Sequence, residues 1–136
     1  MNIKHHAFSL IELLIVLAII LILIKASYPL YLNHVAHAER NRAEVALLQL
    51  SAKLEAYDSD HGTYAGASLD NLGAAHLCDG LHYHLSLLAL SSGEYLIAAV
   101  PDSVQAARDP LCETITVNSE NQRTISGSGE VQACWM

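Results

Sequence analysis

Positive charge is scarce in this chain of 136 residues: seven Lys and Arg stand against 14 Asp and Glu, a formal net charge of −7. Nucleic acids are held largely by cations that neutralise phosphate, and Lys25, Arg40, Arg42, Lys53, Arg108 and Arg123 are scattered, so direct nucleic acid binding is not expected. No nucleophile elbow, phosphate-cradling glycine loop, His-Glu-x-x-His or kinase signature occurs, which leaves no catalytic residue to name. Asp58 and Asp60 lie at a helix end, and Asp102 and Asp109 flank a loop. Neither pair is placed as an acid/base couple needs. No loop carries the alternating carboxylates of an EF-hand. Cysteine is limited to positions 78, 112 and 134, with no Cys-x-x-Cys and no zinc-type spacing. Histidine is plentiful, at eight, and two pairs are spaced to share a ligand: His34 with His37 on one helical face, and His82 with His84 on one strand face. Neither has a third ligand at convincing spacing, so both read as exposed histidines on polar faces, and no metal or cofactor is expected. Internal repeats and low-complexity tracts are absent.

Apolar residues are abundant but unevenly spread. They make up 52% of the chain, with a mean hydropathy of +0.28, and from Phe8 to Ile24 every residue except Ser9 and Glu12 is apolar. A helix over that run is roughly 25 Å long, slightly short of a hydrocarbon core, and spans it with thinning or with snorkelling by Lys25. Ile24-Lys25-Ala26 before Ser27 faintly resembles a secretory cleavage site, but Glu12 inside the apolar run and Lys25 at the cut argue against it. A carboxylate in hydrocarbon costs several kcal/mol unless compensated, so Glu12 implies a cationic partner at the same depth or within an oligomer. Lys25 lies about 20 Å up the helix and Lys4 belongs to the short polar head, so neither reaches it.

The stretch Ala7-Phe8-Ser9-Leu10-Ile11-Glu12, after a short basic leader and before the apolar run, resembles the class III signal of type IV prepilins. The resemblance continues more loosely through His61-Gly62-Thr63-Tyr64 and Ser68-Leu69-Asp70-Asn71-Leu72-Gly73. Gly93 to Pro101, Cys112 to Asn118 and the closing Cys134-Trp135 resemble PilE-type minor pilins. It implies that a membrane peptidase cuts between Ala7 and Phe8, that the Phe8 nitrogen is methylated, and that subunits then stack into a fibre. A free Phe8 nitrogen on a neighbouring chain is then the cation that meets Glu12. Two positions depart from the family pattern: Ala7 stands where Gly is usual, and Glu113 where Gly usually follows the Cys.

Beyond the apolar run, Pro29 removes a helical hydrogen bond and predicts a kink or local unwinding. The helical pattern then resumes, with Ala36, Ala43, Leu47, Leu50, Leu54 and Tyr57 on one stripe and Glu39, Arg42, Gln49 and Lys53 on other faces. Asp58 to Gly62 ends the helix, and a polar, glycine-punctuated connection runs to Gly80. Strand-like runs follow at 81–87, 94–100, 112–117 and 122–126, reading as an antiparallel meander. Asn118 to Asn121 makes a turn, and Ser126 to Gly129 a flexible one before Val131 to Trp135. The pattern therefore reads as α+β, and the resemblance implies a type IV pilin fold, with a long N-terminal helix, transmembrane in its first half and amphipathic in its second, packed on an antiparallel sheet. The expected organisation is a cleaved leader at 1–7, a hydrophobic half-helix for membrane and assembly at 8–32, and a globular domain at 33–136. Loss of the leader removes Lys4 alone among charged side chains and leaves −8.

Outside the cytoplasm one disulfide is expected, and three thiols allow three pairings. The resemblance favours Cys112 with Cys134, closing a loop of about 23 residues worth roughly 3 kcal/mol in the chain-entropy model. Cys78 is then left over, a small buried hydrophobe or a thiol that pairs with another subunit. The implied function is a structural subunit of a type IV pilus, a minor pilin that primes assembly or sits near the tip, with adhesion, twitching or DNA uptake as outputs. The implied partners are prepilin peptidase, other pilin subunits and inner-membrane pilus assembly proteins. It is anchored once in the inner membrane before assembly and displayed on the pilus afterwards. The rivals are a pseudopilin of type II secretion, which shares the first helix, and a membrane-anchored periplasmic enzyme or metal-binding domain using the histidines.

Overall fold

The computed structural model describes residues 8–135, so the expected leader, Ala7 included, lies outside the described residues. The elements in chain order are α1 (Leu10–His61), β1 (Tyr83–Leu90), β2 (Tyr95–Pro101), α2 (Ser103–Arg108), β3 (Ile115–Asn118), β4 (Arg123–Ile125) and α3 (Val131–Cys134). The chain divides into two compact units between His34 and Val35.

The first unit is helix throughout its length from Leu10, and no side chain from Phe8 to Tyr31 is buried. With apolar residues on every side, the helix has no inward face of its own. Pro29 lies inside α1, whose helical backbone runs unbroken across it.

The second unit buries one stripe of α1 against the sheet. Ala36, Ala43, Leu47, Leu50 and Leu54 are buried at the expected spacing, and Tyr57 packs half-buried against the same core. Leu47, Leu50 and Leu54 share that core with Tyr83, Tyr95, Ile97, Ala99, Ile115 and Val117 from three strands. The strands run β1-β2-β3-β4, every pair antiparallel. Leu85 lies opposite Ala99, Ile97 opposite Val117, and Ile115 opposite Ile125, so alternate residues of each strand supply the face that meets α1. Gly62 ends α1 at φ +71, its N–H bonded to the Asp58 carbonyl at 2.6 Å, the left-handed cap that glycine accepts without strain.

The strands depart from the expected ranges in physically legible ways. β1 starts at Tyr83 rather than Leu81 and reaches Leu90 through an irregularity between Leu87 and Ala89. β3 starts at Ile115 rather than Cys112, because Glu113 takes a left-handed φ of +49 that no regular strand allows. The expected loop between Asp102 and Asp109 is the helix α2, with those residues as its caps. Asp102 Oδ1 accepts from the N–H groups of Val104 and Gln105 at 2.9 Å each, and the Asp109 N–H donates to the Gln105 carbonyl at 2.9 Å.

A polar seam ties α2 to α1. At its first end His82 Nδ1 meets Asp102 Oδ2 at 2.6 Å, and the His82 N–H donates to Glu39 Oε2 at 3.1 Å. In the middle, the fully buried Gln105 donates from Nε2 to the Ala36 carbonyl at 2.9 Å. At its last end the buried Arg40 guanidinium bonds Asp109 through Nη1 and His37 Nδ1 through Nη2, the latter at 2.8 Å. Glu44, one turn after Arg40, is buried as well.

Two outcomes follow from this packing. Leu50→Ala opens a cavity in a site with no solvent exposure and costs about 2–5 kcal/mol, measured by chemical denaturation of the chain in detergent micelles. The Asp102 carboxyl is held below the usual carboxylate range, first by the Gln105 N–H and then by His82. A depressed folded value means its stabilising effect is complete above the unfolded value, about pH 4, and is lost as pH falls through the lower folded one. The Val104 and Gln105 amide resonances accordingly show a step below about pH 4, and Asp102→Asn abolishes that step.

Candidate assembly site

The described chain opens with Phe8, whose ring is 77% exposed, followed by Ser9 at the helix N-cap. Ser9 Oγ accepts from the Glu12 N–H at 3.2 Å, and the Ser9 carbonyl accepts from the Glu12 and Leu13 N–H groups at 3.1 and 3.3 Å. The Ser-x-x-Glu spacing is that of a capping box, and it is the signal in sequence for the role of Ser9, which was not anticipated. Glu12 thus sits in the first turn, where the positive end of the helix dipole favours a carboxylate. Among the described residues its carboxylate has no hydrogen bond or ion pair, and the helix dipole is the compensation that those residues supply.

Above that turn every residue from Leu13 to Ile24 is apolar. Its richest window has a mean hydropathy of 2.7 with none of it buried, long and apolar enough to cross a membrane. Even the least exposed of its large side chains, Val16 and Ile20, are 45% open. A surface of this kind is stable only in lipid or against other apolar helices.

The remaining site residues belong to the second unit. Cys112 and Cys134 are joined by a disulfide, with their Cα atoms 5.6 Å apart. Gly127 and Gly129 lie against the backbone of Leu111 beside that bridge, and a Cβ on Gly127 would fall on the Leu111 carbonyl oxygen. Cys78 is a free, half-buried thiol. Of the paired histidines, His37 meets Arg40 and His82 meets Asp102, whereas His84 lies exposed on β1. Among the described residues no three His, Cys, Asp or Glu gather as a metal site. The buried Arg40, Glu44, Gln105 and Asp109 were not anticipated. Arg40 and Glu44 do fall on the helical stripe of Ala36, Ala43 and Leu47, and that spacing was the available signal.

A family model described as type IV minor pilin ComP, DNA uptake sequence receptor, matches residues 29–116. The chain belongs to this type IV minor pilin family. A second model, the prokaryotic N-terminal methylation motif, matches residues 2–24. No curated protein matches the chain in sequence. Among solved structures, the non-core minor pilin PilV of Neisseria meningitidis superposes with a TM-score of 0.57 at 17% identity, covering 72% of this chain and 93% of that one. The likeness is one of fold: a long N-terminal helix packed on a four-stranded antiparallel sheet. This minor pilin is therefore a structural subunit of a type IV pilus, anchored through its apolar helix and then displayed with its globular domain outside the cell. Membership takes the place of the pseudopilin reading, and the family and its fold are structural rather than enzymatic.

Burial, and secondarily Asp79, pushes the Cys78 thiol above its ordinary value, so less thiolate is present near neutrality. Titration of the unreduced pilin with a thiol reagent is expected to find one reactive group, alkylated several-fold more slowly at pH 8 than a free cysteine. Two further groups appear after reduction.

Proposed function

We propose that this minor pilin enters the filament through its N-terminal turn. Cleavage between Ala7 and Phe8 frees the Phe8 nitrogen, which is then methylated. Glu12 of one subunit meets that nitrogen on a neighbour, fixing axial register while the residues from Leu10 to Ile24 exchange lipid for other pilin helices. The observation that carries this reading is Glu12 itself: a carboxylate on a wholly exposed apolar helix, with no ion pair among the described residues. The match of residues 2–24 to the N-terminal methylation motif supports it. A subunit at the extreme tip has no neighbour ahead whose amine it must meet, so retention of Glu12 favours a position below the tip-most subunit. Prepilin peptidase, neighbouring pilins and the inner-membrane assembly proteins are the partners of these steps.

The deciding measurement is the intact mass and first residue of the protein in sheared filaments and in membranes. Filament protein beginning at methylated Phe8 supports the reading, and protein still beginning at Met1, or absent from filaments, overturns it. Glu12→Ala is expected to leave the chain folded and membrane-bound while lowering its recovery in filaments at least tenfold. Normal co-assembly of that variant would sink the role given to Glu12.

Of the possible outputs, DNA uptake is favoured by the description of the matched family as a DNA uptake sequence receptor. The charge of the globular unit weighs against strong duplex binding by this chain. Arg40 is buried with Asp109, and the other cations of the unit are Arg42, Lys53, Arg108 and Arg123, of which Arg123 already lies over the Trp135 ring. Four cations limit the salt dependence of duplex binding to a log–log slope of about −3.6. A slope no steeper than this, with weak affinity, places the contribution to uptake in the filament rather than in this head. Tight, sequence-selective binding would make the head itself the receptor.

A further inference from the structure

We propose that His37 is a proton-sensitive latch that holds the C-terminal end of α2 on α1 when neutral and releases it when protonated. An arginine guanidinium carries no lone pair to share and remains charged, so in the 2.8 Å contact between Arg40 Nη2 and His37 Nδ1 the arginine must donate. His37 therefore accepts on an unprotonated Nδ1 and carries its proton on Nε2. A second proton puts donor against donor and places two cations side by side. Histidine is the side chain whose charge responds to the mild acid that a cell exterior meets.

The cost falls on Arg40. Its side chain is only 3% exposed, its Nε has no hydrogen-bond partner, and Asp109 and His37 both accept from the guanidinium. Losing His37 leaves a buried charge with more of its donors unsatisfied. Arg40 and Glu44 on α1, Asp109 at the end of α2 and Tyr83 at the start of β1 interact at this end, and Arg108 precedes Asp109 in sequence. His34 lies three residues before His37 in sequence. Asp109 is the C-cap of α2, and its carbonyl also accepts from the Cys112 and Glu113 N–H groups at 3.3 and 3.1 Å. Release of Arg40 therefore loosens the connection from α2 to the disulfide corner.

The opposite end responds in the other sense. His82 faces the Asp102 carboxylate, a contact that protonation strengthens. Acid thus frees one end of α2 while the other stays pinned, and the helix opens about Asp102 instead of leaving as a whole.

The test is amide exchange on the full chain in detergent micelles between pH 8 and 5.5, corrected for intrinsic rates, alongside a 15N titration of the His37 ring. Protection of the Asp109, Cys112 and Glu113 amides is expected to fall at least tenfold, with a midpoint matching His37 and no such step in β2 or β3. His37→Ala, at an exposed position, is expected to give low protection at both pH values. His37→Gln supplies an acceptor that does not titrate and is expected to hold protection at both. His82→Ala is expected to keep the step. An unchanged wild type, a step that survives in His37→Ala or His37→Gln, or one that disappears in His82→Ala would overturn the proposal.

Discussion

The first half of α1 has nothing in its own unit to bury against. Apolar on every side and open from Phe8 to Tyr31, it requires cover from outside the chain, and that requirement governs how the rest of the molecule is built. Lipid supplies cover to a single subunit, and other apolar helices supply it in a filament, so passage from one to the other never exposes the surface to water. The globular unit must then fold without any help from those residues. It does so by turning the remainder of the same helix amphipathic and laying its Leu47-Leu50-Leu54 stripe on the sheet.

Much of this was legible because it is local. The stripe on α1 follows a 3.6-residue period, Gly62 marks the stop, and four alternating runs separated by turn residues dictate a meander in which each strand pairs with the next. What escaped was either very short or very distant. α2 has six residues, too few for a periodic signal, and only Asp102 with Gln105 three positions on announces its start. The ion pair of Arg40 was not legible because its partner, Asp109, lies 69 residues away, and no spacing in sequence reports such a pair. At the assembly turn, Glu12 stands out against its apolar surroundings, whereas Ser9 shows its capping role only through its spacing to Glu12.

Buried ion pairs add little net stability, since desolvation offsets most of the attraction, but they discriminate strongly between arrangements. The seam from Glu39 to Glu44 reads best in that light. A hydrophobic contact between α1 and a six-residue helix would tolerate sliding by a turn. Gln105 on the Ala36 carbonyl together with Arg40 on Asp109 admits a single register. The same seam passes the position of α2 on to the disulfide corner, whose glycines leave the Leu111 backbone no room for a side chain in their place.

The two outer strands of the sheet have one more consequence. β4 is three residues long and carries Arg123, and β1 is irregular between Leu87 and Ala89, so neither edge is a long, flat row of unpaired backbone groups. Short, charged or bulged edges resist pairing with the strands of other molecules. Heads crowded along a fibre would otherwise zip together through their backbones, and a ladder of that kind has no counterpart in lipid to which it could be exchanged. With blunt edges, cohesion is left to the helices, and an apolar helix can be traded back to the bilayer. A subunit built this way can leave a filament by the route through which it came.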